Sequence, residues 1–157
     1  MPKRRTAPGP RYEALLELLR TAETLWNTSR VFFERWQLGP SQFNLLNLLN
    51  GSSAGLSQSE LSRQLIMHRS NVTGLVDRMQ ARGLLVRQSC AQDKRVYRVQ
   101  LTPKGQQLLD QVLPEYYAAA EQVWGQIPVQ RVQSLLAELQ QLNANAVRLV
   151  QPRGTAP

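Results

Sequence analysis

At 157 residues the chain is the size of one ordinary domain and long enough to bury a core. Lys and Arg number 19 against 11 Asp and Glu, a net charge of +8, which favours a polyanionic partner: DNA, RNA or an anionic membrane surface. The lone cysteine, Cys90, excludes an internal disulfide and fits a reducing cytoplasm. No apolar run approaches the roughly 18 residues a membrane span needs, and Pro8-Gly9-Pro10 stands where a signal peptide would have its apolar core.

Taken in order, residues 1–10 are basic and rich in Pro and Gly, a composition that predicts disorder. A long helix is expected over Tyr12 to Trp36, where Leu15, Leu18, Leu25, Trp26 and Phe33 recur at helical spacing. Gly39-Pro40 restarts the chain, with proline at the first helical position and Gln42 able to cap back. The second helix should end at Gly51. Ser57-Gln58-Ser59-Glu60 is an S-x-x-E capping box and opens a third helix. A fourth is expected over Arg69 to Met79, stopping at Gly83, with Val72, Leu75, Val76 and Met79 on its core face.

Leu84 to Gln88 and Val96 to Leu101 alternate as two strands, with Tyr97, Val99 and Leu101 on one face. Thr102-Pro103 pairs an N-cap residue with proline at the next position and starts a helix running to about Gly125. Pro114 inside it should kink or divide it. The last helix, Val129 to Val150, carries Val132, Leu135, Leu139, Leu142, Ala146 and Leu149, a seam of the coiled-coil kind.

Two short helices, a turn and a two-stranded basic hairpin form the pattern of a winged helix-turn-helix. Residues 57–101 hold eight basic side chains against Glu60, Asp77 and Asp93, so the charge surplus gathers where such a module meets nucleic acid. The expected fold is mainly α, of the α+β winged-helix kind. A DNA-binding domain over 38–102 is flanked by a helical dimerisation region made of 11–37 and 103–150, with a tail over 151–157. Three long helices exceed what one small winged domain can cover, so a two-fold dimer with interlocked terminal helices is the economical arrangement.

Leu38-Gly39-Pro40-Ser41-Gln42-Phe43, Leu56-Ser57-Gln58-Ser59-Glu60-Leu61, Val72 to Met79, Arg82-Gly83-Leu84-Leu85, Asp93-Lys94-Arg95 and Leu101 to Gly105, in this order and spacing, resemble the MarR transcriptional regulators. The resemblance implies an obligate homodimer on a pseudo-palindromic operator in double-stranded DNA. The second helix of the motif would enter the major groove and the wing tip the minor groove. It also implies release by a small phenolic or other aromatic ligand bound between the two subdomains, and repression as the default. The chain departs from the family at Ile66, where glycine is usual in the turn, and at His68, where serine commonly caps the helix.

Within that frame Arg69, Ser70, Asn71 and Thr73 lie at the start of the recognition helix, where side chains reach base edges or phosphates. Asn71 has the amide for a bidentate contact to adenine. Arg78 joins this set further along the helix. Arg95 matches the family's minor-groove arginine, and Asp93 is read as its orienting partner. Arg87 and Lys94 are candidates for backbone phosphates, as are Ser57 and Gln58 at a helix N-terminus. Trp26, Arg30, Phe33, Tyr116 and Tyr117 are the candidate lining of an aromatic-ligand pocket.

No nucleophile–base pair, HExxH, CxxC or P-loop pattern occurs. The reading is therefore of a protein that is not an enzyme, with no cofactor and no metal, in the cytoplasm and not in a membrane. Two alternatives remain. One is a redox switch at Cys90, whose neighbours Arg87, Lys94 and Arg95 would lower a thiol's pKa. The other is a sequence-neutral architectural DNA binder, which needs the charge but not a shaped recognition helix.

Overall fold

The structure is a computed structural model that describes residues 9–65, 71–89 and 97–150. The expectations for the tails at 1–8 and 151–157, for the turn holding Ile66 and His68, and for the wing tip lie outside the described residues. The chain divides into two compact units, Met1–Pro114 and Glu115–Pro157.

In the first unit, helix α1 spans Pro10–Phe33. Proline occupies its first turn, where a missing N–H costs nothing, and the Gly9 carbonyl accepts from the N–H groups of Tyr12 and Glu13. The helix stops short of Trp36 because residues Glu34–Trp36 tighten into a 3-10 turn. Gln37 then takes a left-handed conformation, φ 54°. That reversal returns the Leu38 N–H to the Phe33 carbonyl at 3.2 Å and drops Leu38 into the core. Arg82 holds the corner by donating to the Gln37 carbonyl at 2.8 Å.

Helix α2 spans Pro40–Asn50. As its sequence implies, the Gln42 side chain reaches back to accept from the Gly39 N–H at 2.9 Å. A turn then leads into strand β1, Leu56–Ser57, which pairs antiparallel with β3, Tyr97–Leu101. This strand was not expected, since two residues show no alternation. Gly55 makes the pairing feasible. Its φ is +71°, and a Cβ there would meet the Val99 carbonyl oxygen at 2.6 Å, so only glycine lets the chain approach β3 so closely.

Helix α3, Gln58–Gln64, follows, then α4, Val72–Ala81, and strand β2, Leu85–Ser89. The sheet runs β1-β3-β2, with Leu85 opposite Leu101 and Ser89 opposite Tyr97. On β3 only Val99 is buried; Tyr97, expected on the same face, is exposed because it lies at the outer end of the hairpin. The core draws on every layer: Phe33 from α1, Phe43 and Leu46 from α2, Leu61 from α3, Leu75 and Met79 from α4, and Leu109 from the helix that follows β3. Phe33 and Phe43 stack at 4.5 Å between ring centroids.

Helix α5, Pro103–Trp124, runs through Pro114 without dividing, and the boundary between the compact units falls at that residue. Its start is fixed to the turn between α4 and β2. The Thr102 hydroxyl donates to the Gly83 carbonyl at 2.7 Å and accepts from the Gly105 N–H at 3.0 Å. In the second unit, helix α6 spans Val129–Val150 and buries none of its residues. Its expected seam is present as a face but stands open, with Leu135 and Leu142 both exposed. The grouping of terminal helices into a dimerisation region concerns an assembly, and is taken up below. Among the described residues, no helix is long and apolar enough to cross a membrane.

The seat of α5 yields a prediction. A Cβ on Gly105 would lie 2.1 Å from the Leu84 carbonyl oxygen, a rigid backbone atom. Gly105→Ala should therefore destabilise the fold by about 3 kcal/mol, read as a lowered Tm in thermal denaturation. Gly51→Ala, whose Cβ meets nothing nearer than 3.7 Å, should leave Tm close to that of the parent.

Candidate nucleic-acid interface

Helix α4 is ten residues long, and its sides face different neighbours. Val72, Leu75, Val76 and Met79 are buried, as their spacing implied. Truncating a buried leucine in such a core costs about 2–5 kcal/mol, so this stripe fixes the helix in place. What remains outside is a polar stripe of Thr73, Asp77 and Gln80, and another of Gly74 and Arg78. Asn71 is the residue just before the helix, and its side chain makes no capping hydrogen bond.

The first polar stripe is tied at both ends. The Gln58 side-chain amide, on the first turn of α3, donates to the Thr73 hydroxyl. Two residues read as separate DNA contacts are thus one joint between α3 and α4. At the far end Arg87, on β2, donates through Nη1 to Gln80 Oε1 at 2.9 Å and through Nη2 to Asp77 Oδ1 at 2.5 Å. Arg87 was read as a phosphate neutraliser, but here its guanidinium is directed at α4. Asp77 and Gln80 carried no signal in the sequence beyond a charge and an amide. Their spacing of three along a helix beside a strand arginine was the clue available.

Ser57 also has internal partners. Its N–H and its hydroxyl both donate to Glu60 Oε2 at 2.7 Å, while the hydroxyl accepts from the Glu60 N–H at 3.3 Å. The capping box read from the sequence is formed, and it places a carboxylate at the N-terminus of α3. Arg98 of β3 approaches the same Glu60 oxygen at 3.8 Å and donates to the Gly55 carbonyl at 2.7 Å. Arg98 is thus a link between β3, the turn before β1 and α3.

The second polar stripe faces a cleft of about 390 Å³ between α1, the start of α2 and α4. Trp26 and Arg30 line it from α1, Ser41 from α2, and Asn71, Gly74 and Arg78 from α4. The structure thus brings together two of the expected ligand-pocket residues with two expected DNA contacts. Phe33 is not in this lining: it is 1% exposed and belongs to the core. Tyr116 and Tyr117 belong to the second unit. Arg69, Ser70, Asp93, Lys94, Arg95 and Cys90 lie outside the described residues. Among those described, no group of three or more His, Cys, Asp or Glu side chains is placed to hold a metal ion.

The Ser57 hydrogen bonds, the side-chain one first and then the backbone N–H, hold the Glu60 carboxyl below its ordinary pKa, with Arg98 and Arg63 adding attraction against partial desolvation. A lowered folded value means that the stabilisation is full above the ordinary carboxylate range and is lost as pH falls through the lowered value. Glu60→Gln should accordingly melt below the parent at pH 7, and the gap should close as the pH is taken below the ordinary glutamate range. A gap that stays constant in acid would remove the charge from this account.

Comparison with known proteins bears on this geometry. The family model for the MarR family matches residues 36–96. The transcriptional repressor MprA of Escherichia coli K12 is 30% identical over 112 residues, covering 67% of this chain and 64% of MprA; the match thus spans under two thirds of that relative's length. Two solved structures share the fold. A regulator described as organohalide-sensing, RdhR, in its 2,4-dichlorophenol-bound form, has a TM-score of 0.80 at 16% identity, covering 98% of this chain and 90% of its own. The Staphylococcus aureus MepR–DNA complex has a TM-score of 0.74 at 18% identity, covering 85% of this chain and 97% of its own.

Proposed function

Because the chain belongs to the MarR family, we propose that it is a homodimeric, sequence-specific DNA-binding transcriptional regulator. It represses a nearby operon and is released by a small aromatic ligand. The observation that carries the reading is α4 itself. Four apolar residues anchor it, and its polar sides stand beside a β2–β3 hairpin in a region with a surplus of basic residues. A short helix so mounted is the reading element of a winged helix-turn-helix, and the hairpin is its wing.

Asn71 and Thr73 open the helix and read base edges or phosphates in the major groove. Arg69 and Ser70 complete that set. Arg95 enters the minor groove at the wing tip with Asp93 orienting it, and Lys94 neutralises phosphate. The MepR relative was solved on DNA, which supports this use of the fold.

The open apolar faces support the dimer. Leu149 is 86% exposed on α6, and Leu15, Leu19 and Val31 are exposed on α1. Faces of this size are ordinarily covered in a soluble protein, and a second copy supplies a matching seam. The ligand reading rests on the cleft. Trp26 offers an aromatic wall, and Arg30 and Arg78 offer two cations for a phenolate or carboxylate. The RdhR relative in complex with 2,4-dichlorophenol supports a ligand of this chemistry. A ligand there would touch Asn71 and Arg78 on α4 and so bias the helix that reads DNA.

The test is binding to the intergenic DNA beside the gene, titrated against excess random duplex at fixed salt. Binding that survives the competitor, with one dimer per protected site, is expected. Binding that the competitor removes from every sequence selected from the genome would favour the architectural alternative. Asn71→Ala should mainly relax sequence choice, by about 1–3 kcal/mol of discrimination at one position. Arg95→Ala should weaken binding to all sequences and lower the salt slope by about 1. Leu142→Asp should shift the protein towards monomer in analytical ultracentrifugation and weaken operator binding with it. A dimer of parental strength would remove α6 from the interface.

A further inference from the structure

We propose that Asp77 is a specificity-determining positioning residue: by clamping Arg87 against α4, it withdraws a cation from the DNA face and fixes the hairpin relative to the reading helix. The inference rests on the reading of α4 and the β2–β3 hairpin as the DNA-facing elements. Asp77 is the single acidic residue between Val72 and Ala81, and its side chain is 55% exposed. A carboxylate displayed towards a polyanion costs binding energy, so its place on this helix calls for a reason.

Fold stability is a weak one. A partly exposed ion pair contributes less than about 1 kcal/mol, small beside the four apolar residues that already seat α4. Geometry offers a stronger one. The planar guanidinium of Arg87 spans two acceptors one helical turn apart, Asp77 Oδ1 at 2.5 Å and Gln80 Oε1 at 2.9 Å. A fork held at two points has its plane and position set. Arg87 lies opposite Val99, two residue pairs inward from the Ser89–Tyr97 end of the hairpin, and Val99 is buried. Holding Arg87 therefore holds the base of the wing to the recognition helix. The same pair keeps Arg87 from neutralising whichever phosphate lies nearest, an attraction that every DNA sequence satisfies equally. The protein gives up general affinity, and the affinity that remains depends more on bases.

The test compares the full-length parent, Asp77→Asn and the double variant Asp77→Asn/Arg87→Gln on random duplex and on the selected operator, by fluorescence anisotropy over a range of salt. Asp77→Asn should bind random duplex roughly five- to tenfold more tightly at 0.1 M salt, with a slope of log K against log salt steeper by about 0.9, one further phosphate. The operator should gain less, so the ratio of operator to random affinity falls. The double variant should lose the added slope. An Asp77→Asn slope on random duplex equal to that of the parent overturns the proposal, and so does an added slope that persists in the double variant. Should Asp77→Asn fail to fold, Arg87→Lys takes its place: it keeps the charge, cannot span both acceptors, and should steepen the slope in the same way. The random-duplex slope is read without an operator. A parent that selects no sequence therefore overturns the regulatory reading, whereas an unchanged slope overturns the clamp alone.

Discussion

The burial of one stripe of α4 is the constraint on which the rest of the candidate interface depends. Val72, Leu75, Val76 and Met79 are sunk in the core of the first unit, and a helix so held cannot rotate without opening a cavity of several side chains. The residues between these, as far as Gln80, are thereby given their directions. Thr73 faces Gln58, Asp77 and Gln80 face Arg87, and Gly74 and Arg78 face the cleft under α1. None of these polar contacts is strong enough to set the helix in place. They take their geometry from the apolar stripe and add orientation to it.

Much of this was legible in the sequence because local chemistry and long-range packing agree there. The Ser57–Glu60 box, the Gln42 back-cap, the Thr102-Pro103 start and the core stripe of α4 all rest on spacings of three or four residues, and each is formed. What escaped depends on partners far apart in the chain. The two-residue strand β1 exists because β3 passes beside it, and Gly55 permits the approach. Arg87 reads as a free wing cation until Asp77, ten residues earlier, is brought against it. Phe33 carries the same aromatic signal as Trp26, yet one enters the core and the other lines the cleft, and helical spacing alone does not separate them.

The two units differ in how they are held. The first draws its core from α1 to α5 and seals it with backbone fits that exclude even a methyl group, as at Gly105. The second offers a 22-residue helix with an apolar face and no buried residue of its own. Isolated helices are marginal in water, and their stability comes mainly from packing. Packing of another surface against that open face would add to the stability of α6.

Because the apolar stripe of α4 is sunk in the core and several of its polar side chains are tied to neighbouring elements, exchanging this helix is a graft and not a point change. A foreign helix set into this frame would meet Gln58, Arg87, Trp26 and Arg30 as its surroundings. A donor helix lacking an acceptor at the places of Asp77 and Gln80 would leave the wing without its rest, and a bulky residue at the place of Gly74 would crowd Arg78 at the edge of the cleft. The transferable unit is the helix together with the side chains that receive it.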